Sequence, residues 1–175
     1  MRRRGGFRWP PCVHLDRSAP AVARPGPAML SMSGDASREF VDTNVLVYAI
    51  DSSAGLKQTA ATALLERLWT SGTGCLSVQV LQEFFVTVTR RVARPLSIAE
   101  AADRIQEFAA WRVFSPTVDD VLAAINLQRH SRLSFWDAMV VQAAAESGCD
   151  TLWTEDLNDG QAIRGVRIRN PFSSR

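Results

Sequence analysis

The sequence predicts an α/β fold in which helices cover a central, largely parallel sheet of about five short strands. From Arg38 onward, short strand-like runs alternate with longer segments whose apolar residues recur at helical spacing. This alternation is typical of βαβ units, whose strands run parallel. The chain of 175 residues is long enough for one domain with a substantial core. No stretch approaches the roughly 18–20 apolar residues that a membrane span needs.

The strands are predicted from short runs of apolar and β-branched residues that lie between helical segments. In chain order they cover residues 38–42, 74–77, 112–115, 151–154 and 166–170. The first of them, "REFVD", leads directly into "TNVLVYA", so that a carboxylate, a hydroxyl and an amide stand side by side where the strand ends.

The helices are predicted from the recurrence of apolar residues with a period near 3.6. They cover residues 44–50, 55–69, 78–93, 97–111, 117–130 and 134–148. Ser97 is the expected N-cap of the fourth helix, with Glu100 completing a capping box. Ser134 is the expected N-cap of the sixth, and Gly148 follows its end.

The segment 78–93 is the ambiguous one, because its β-branched residues favour a strand. Its length and the spacing between Val80 and Phe84 favour a helix. We therefore assign a helix. Arg90, Arg91 and Arg94 near its end indicate either a solvated end of a core helix, which we adopt, or a groove for a partner protein or an RNA edge.

Residues 1–37 are predicted to form a disordered extension, and residues 38–175 the folded domain. Five of the eight prolines fall within the first 30 residues, without hydrophobic periodicity and without the apolar core of a signal peptide. Met29 and Met32 are alternative starts of the chain. A basic arm that touches RNA is the alternative interpretation of this segment.

Charge and cysteine content narrow the functional classes. Residues 1–37 hold six Arg and two Asp, whereas the remainder holds fourteen basic and sixteen acidic residues. The net charge of a mildly acidic domain does not indicate nucleic-acid binding. The three cysteines are far apart and not in CxxC spacing, which argues against a zinc site or a disulfide framework and favours a reducing cytoplasm.

Four acidic residues are expected at the carboxyl edge of the sheet, where ligands bind in parallel α/β folds. Asp42 ends the first strand, and Asp156 closely follows the fourth. Asp137 lies in the first turn of the sixth helix, and Glu83 in the first half of the third. Because they come from four separate segments, their meeting at one edge would form a site.

Each of these acids also has a structural interpretation. Asp42 could cap the first helix, and Asp137 could complete a capping box with Ser134. Glu83 could lie on a solvated helix face, and Asp156 belongs to the acidic turn "TEDLND". The four together favour a site, because clustered carboxylates repel one another unless a cation neutralises them.

The residue types indicate which cation and which reaction. Oxygen ligands without His or Cys suit Mg²⁺ or Mn²⁺. Such ions activate water and stabilise the leaving oxygen of a phosphodiester. The predicted reaction is therefore metal-assisted phosphodiester hydrolysis.

The four motifs, in this order, resemble those of the PIN domain family, and more narrowly those of VapC-type toxins of toxin–antitoxin modules. The resembling segments are "FVDTNVLVYA", "LQEFF", "SFWDAMVVQAA" and "LWTEDLNDG", and the resemblance covers about residues 38–172. It implies a three-layer αβα fold and a ribonuclease, commonly dimeric, that a small VapB-like antitoxin holds inactive.

The resemblance also implies roles for single residues. Asp42, Glu83, Asp137 and Asp156 would be the metal ligands or their close supports and the catalytic acids. Thr43, Asn44 and Thr154 would hydrogen-bond the carboxylates, the water or the phosphate. Members of the family often carry a further Asp and an aromatic residue after the last motif, where this chain has "LNDG". Asp159 is therefore an alternative to Asp156.

Two other functions stay open at the level of sequence. One is a PIN-like module that binds RNA or a protein with weak or no catalysis. The other is a phosphatase with Asp42 as nucleophile. Phosphatases of that kind want a second Asp two residues further on, where Asn44 stands, and a lysine at the site, for which Lys57 is the only one in the chain.

Overall fold

The computed structural model describes residues 37–173, and this part of the chain contains one sheet of six strands. They are β1 (Arg38–Val41), β2 (Gly74–Ser77), β3 (Arg112–Phe114), β4 (Cys149–Trp153), β5 (Ala162–Ile163) and β6 (Val166–Arg169). Their order across the sheet is β3–β2–β1–β4–β6–β5. All neighbours pair in parallel except β5 and β6. The predicted α/β class and the largely parallel sheet are confirmed.

Every predicted helix is present, with ends that differ from the prediction by three residues at most. The helices are α1 (Thr43–Ile50), α2 (Leu56–Ser71), α3 (Val78–Arg90), α4 (Ile98–Phe108), α5 (Val118–His130) and α6 (Phe135–Glu146). The predicted capping boxes Ser97–Glu100 and Ser134–Asp137 both form. Gly148 adopts a positive φ of 69° just after the α6 C-cap, as expected.

The ambiguous third segment is a helix because tertiary burial overrides its β-branched composition. Val80, Phe84 and Val88 recur at a spacing of four residues and are all 0% exposed. Ser77 begins the helix by accepting a hydrogen bond from the Val80 amide at 3.2 Å. A strand would have sent alternate members of this apolar set to opposite faces.

The strand order places the helices on both faces of the sheet. The connections from β1 to β2 and from β2 to β3 run in one direction, and the connection from β3 to β4 runs back. Because parallel crossovers are right-handed, α1 to α4 lie on one face, and α5 and α6 on the other. The direction reverses between β1 and β4, and the crevice at such a switch point is where α/β folds bind ligands.

Helix α6 is the buried element that supports this crevice from one side. All residues from 138 to 144 are buried, which is expected of a helix that is covered all round. It packs against β2, β4 and β6, and α5 packs against its outer side. Within the sheet, Phe40, Leu152 and Ile168 are 0% exposed.

One strand of the sheet was not predicted from the sequence. Strand β5 has two residues and pairs antiparallel with β6. Arg164 and Gly165 form the turn, with φ values of 51° and 81°, as a two-residue hairpin turn requires. An Arg-Gly pair is a weaker turn signal than Asn-Gly or Asp-Gly, and a two-residue strand has no periodicity to detect.

The predicted N-terminal extension, residues 1–37, lies outside the described residues apart from Ser37. Its disorder stays a prediction. Within residues 37–173, no helix is both long enough and apolar enough to cross a bilayer.

Candidate active site

Asp42 stands at the switch point between β1 and β4, where the sheet fixes its backbone. Its amide donates to the Trp153 carbonyl at 3.0 Å, and the Thr154 amide donates to the Arg169 carbonyl at the same distance. The sheet's hydrogen bonding therefore continues one residue past the ends of β1 and β4. Asp42 is also the N-cap of α1, as its structural interpretation predicted.

The Asp42 carboxylate is buried and receives several hydrogen bonds. The side chain accepts from the Thr43 amide and from the Thr154 hydroxyl, both at 2.7 Å. Burial, and to a smaller extent the nearby charges of Asp156 and Glu83, raise its pKa to about 6 even though these hydrogen bonds lower it. A carboxylate of this kind is costly to ionise unless a positive charge compensates it.

Asn44 joins Asp42 to Asp156 through one amide group. Its Nδ2 lies 3.3 Å from Asp42 Oδ2, 3.1 Å from Thr154 Oγ1 and 3.0 Å from Asp156 Oδ2. Two N–H bonds thus face three acceptors. Its Oδ1 is buried and has no hydrogen-bond partner among the described residues. The side chain sits between the two carboxylates as a neutral donor.

Glu83 reaches the same cluster from α3. Its Oε2 accepts from the Thr43 hydroxyl at 3.3 Å, and its Oε1 accepts from the Gln79 amide at 2.9 Å. Thr43 therefore contacts Asp42 through its amide and Glu83 through its hydroxyl. The structure thus brings Asp42, Glu83 and Asp156 together around the three predicted supporting residues Thr43, Asn44 and Thr154.

Asp137 has a different environment. Its Oδ2 accepts from the Ser134 hydroxyl at 2.7 Å and from the Ser134 amide at 3.3 Å. In the described chain no hydrogen bond joins it to the other three acids. Its neighbour Trp136 nevertheless lines the same open groove as Glu83, so the first turn of α6 borders the cluster. Asp137 Oδ1 takes no part in the cap.

The final acidic turn separates its two candidates. Asp156 accepts from Asn44, and its own amide donates to the Thr154 hydroxyl at 3.1 Å. Asp159 instead accepts from the Asn170 amide at 2.9 Å, which ties the turn to the end of β6. Geometry therefore favours Asp156 over Asp159 as the acid of the cluster.

We expect Ser134→Ala to destabilise the protein more than Asp137→Asn. The first change removes the N-cap of α6 and should cost about 0.5–2 kcal/mol. Asn keeps an acceptor for Ser134 and loses mainly the charge–dipole term, about 0.3–1 kcal/mol. Urea unfolding of both variants measures the difference. Ser97→Ala, at the matching cap of α4, is the control for a cap away from the cluster. A larger loss in Asp137→Asn than in Ser134→Ala would contradict the assignment of the cap.

A second cluster, which the sequence did not predict, holds the segment from Thr154 to Asp156 in place. Glu155 Oε2 lies 2.5 Å from Lys57 Nζ, and its Oε1 accepts from the Tyr48 hydroxyl at 2.5 Å. The Lys57 ammonium also lies 4.5 Å from the centre of the Tyr48 ring and 5.4 Å from that of Phe172. The only sign in the sequence is that Lys57 and Tyr48 are the sole lysine and the sole tyrosine.

We expect Glu155→Gln to lower the pKa of the Tyr48 phenol. The hydrogen bond to Glu155 is the main cause that raises this pKa above its usual value of 10, and removing the carboxylate leaves the Lys57 charge, which favours tyrosinate. Because Tyr48 is the sole tyrosine, ultraviolet absorbance of tyrosinate reports it directly. Glu146→Gln, which removes the partner of Arg164, is the control and should leave the titration unchanged. An unshifted titration in Glu155→Gln would show that Tyr48 does not bind Glu155 in solution.

The same cluster bears on the phosphatase hypothesis. Lys57 contacts Glu155 and Tyr48, and no described contact joins it to Asp42. Asn44 contributes an amide at the position where such phosphatases carry a second acid. The structure therefore supplies neither of the two features that an Asp42 nucleophile would need.

The residue types of the cluster suit a hard divalent cation, although the carboxylates in this structure face hydrogen-bond donors. The cluster offers carboxylates without His or Cys, the ligand type that Mg²⁺ and Mn²⁺ prefer. In the described part of the chain, no three acidic, His or Cys side chains are arranged closely enough to hold an ion. Asn44, Thr43 and Gln79 bind the oxygens that a cation would otherwise attract.

A family model matches most of the described part of the chain. A model of the PIN domain family matches residues 40–160, a range that includes every residue of the cluster. No curated protein is significantly similar to the chain in sequence.

Several solved structures of toxins share the fold. A toxin–antitoxin complex from Klebsiella pneumoniae is 20% identical with a TM-score of 0.58, over 79% of this chain and 100% of that one. VapC20 from Mycobacterium tuberculosis, a toxin that cleaves the sarcin–ricin loop, is 26% identical with a TM-score of 0.51, over 65% and 86%. VapBC2 from Rickettsia felis, bound to a DNA fragment from its promoter, is 17% identical with a TM-score of 0.56, over 75% and 97%.

Proposed function

The chain belongs to the PIN domain family, and from this premise we propose that it is a Mg²⁺- or Mn²⁺-dependent endoribonuclease. We propose further that it acts in the cytoplasm as the toxin of a VapBC-type toxin–antitoxin module. The observation that carries the proposal is the meeting of Asp42, Glu83 and Asp156 at the switch point of the sheet, around one asparagine and two threonines.

The proposed ligands of the cation are Asp42, Glu83 and Asp156. Asp137 is the proposed fourth, through the Oδ1 that the capping box leaves unused. When bound, the cation would activate a water and stabilise the leaving oxygen of a phosphodiester. Its charge would also offset the repulsion and burial that raise the pKa of Asp42.

The remaining residues have positioning roles in this proposal. Thr154, which is 0% exposed, donates to Asp42 and accepts from the Asp156 amide, so it sets the spacing between the two acids. Asn44 fixes the side chain of Asp156. Lys57 and Tyr48 hold Glu155 and thereby the backbone on both sides of it.

Two observations support the toxin assignment: the similarity to solved toxin structures and an apolar groove on the surface. VapC20, at 26% identity, is itself described as a toxin that cleaves the sarcin–ricin loop, and the structure from Klebsiella pneumoniae is a toxin–antitoxin complex. On α3, Leu81 and Phe85 face away from the core and line an apolar groove of about 470 Å³ with Ile105 of α4. A VapB-like antitoxin is the proposed occupant, and the active toxin is proposed to be a homodimer.

Incubation of the protein with end-labelled RNA tests the proposal. Cleavage is expected with Mn²⁺ or Mg²⁺ and should stop when EDTA removes the ion. RNA that is bound but stays intact under all metal conditions would favour the weakly catalytic binding module. Release of phosphate from a small phosphomonoester, without RNA cleavage, would favour the phosphatase. Growth arrest on expression of the chain alone, relieved by an antitoxin, tests the toxin role separately.

A further inference from the structure

An open groove of about 460 Å³ adjoins the carboxylate cluster, and no function has been assigned to it so far. Its lining includes Glu83, Trp136, Gln82 and Arg91. We propose that this groove binds an unpaired nucleobase of the RNA substrate, which stacks on the Trp136 indole. The inference rests on the proposed ribonuclease function and specifies how the nucleotide next to the cleaved bond is held.

Trp136 presents its side chain to solvent. The residue is 61% exposed, although it lies on α6, whose residues from 138 to 144 are all buried. A large aromatic side chain left in water contributes little to folding, and aromatic side chains of this kind are the platforms on which unpaired bases stack. Trp136 also lines the same groove as Glu83.

The ring is held in position before any ligand arrives. Phe135 contacts it edge to face, with ring centres 5.2 Å apart and an angle of 64° between the planes. Phe135 in turn packs on the buried cluster of Ala124, Ala138 and Met139. A ring that is supported from the core loses little freedom when a base stacks on it.

The polar rim matches the remaining parts of a nucleotide. Gln82 and Arg91 are exposed, and within residues 37–173 neither side chain has a hydrogen bond or an ion pair. Gln82 offers a donor and an acceptor to a base edge, and Arg91 offers a positive charge to a phosphate. Gln79, by contrast, already donates to Glu83.

The position of the groove favours an unpaired base over a base pair. Glu83 belongs to both the groove and the carboxylate cluster, so a base on Trp136 would lie next to the phosphate at the acids. A paired base in a duplex shows only its edges, whereas an unpaired base exposes the face that stacks on an aromatic ring.

The test measures RNA binding without cleavage, using an Asp42→Asn background and fluorescence anisotropy. The probes are a labelled oligouridylate and an abasic oligonucleotide of the same length and backbone. In that background, Trp136→Ala should weaken binding of the oligouridylate by about 5- to 150-fold. Binding of the abasic probe should hardly change, and Trp136→Phe should restore most of the loss for the oligouridylate.

The control is Leu122→Ala, which truncates a side chain on α5 that is 54% exposed and lies outside the groove. It should bind both probes like the parent, and circular dichroism should show all variants folded. If Trp136→Ala binds the oligouridylate as tightly as the parent, the nucleobase site is refuted and the ribonuclease proposal stands. If the parent binds neither probe while the unmutated chain leaves RNA intact, the proposed function fails, and the site with it.

Discussion

Asp42→Asn should abolish RNA cleavage and also the stabilisation of the protein by Mn²⁺. Asp42 is the buried centre of the cluster, and burial, followed by the charges of Asp156 and Glu83, raises its pKa. The substitution removes a proposed ligand of the cation that would activate the attacking water. In the wild type, Mn²⁺ at 100 times its Kd should add about 2.7 kcal/mol, on the order of 5–10 °C in Tm.

Calorimetry with and without Mn²⁺ measures the second effect independently of any RNA. Asp137→Asn is the informative companion: a ligand role for Oδ1 predicts a reduced Mn²⁺ response, whereas a cap alone predicts a full one. Asp103→Asn, which changes an exposed acid of α4, should respond like the wild type. Should Asp42→Asn gain as much from Mn²⁺ as the wild type, the metal site proposed here would be wrong.

Asp42→Asn should also be more stable than the wild type without metal, by an amount that grows with pH. The folded pKa of Asp42 is about 6, above the ordinary value of 3.8. Below both values the group is neutral in both states. As pH rises between them, only the unfolded chain ionises freely, so folding loses on the order of 3 kcal/mol by about pH 7.

Denaturant unfolding at several pH values tests this second expectation. The free energy of unfolding of Asp42→Asn relative to the wild type should rise by on the order of 3 kcal/mol from about pH 4 to pH 7. Asp51, Glu100 and Asp120 have lowered pKa values because of hydrogen bonds from Ser53, Ser97 and Thr117. They pull the stability of both proteins the other way and cancel in the difference. A difference independent of pH would show that Asp42 is not desolvated in the folded state.

The sequence was sufficient for the sheet and the helices because burial and periodicity agree over most of the chain. Only in α3 did the spacing of apolar residues conflict with the content of β-branched residues. There the spacing of Val80 and Phe84 was the better guide. Strand β5 could not be predicted, since its pairing depends on a turn that Arg164 makes in an unfavourable φ region.

The site was predictable to the level of segments but not of side-chain partners. Asp42 and Asp156 follow from the rule that parallel strands deliver their carboxyl ends to one edge. The role of Asp137 depends on which of its oxygens Ser134 uses, and a sequence cannot distinguish two oxygens. The contact of Glu155 with Lys57 and Tyr48 joins residues about one hundred positions apart, and no local pattern encodes it.

The hydrogen bonds that carry the sheet past the ends of β1 and β4 have a consequence for how the site fails. The amides of Asp42 and Thr154 belong to the ladder of the central strands, so their exchange with solvent requires opening of the sheet itself. A substitution in the distant core therefore lowers activity by lowering the fraction of folded molecules, while each folded molecule keeps its geometry. Residues such as Glu83 and Trp136, which sit on helices at the rim, lie outside that ladder and are the positions at which the site can adapt without loss of the fold.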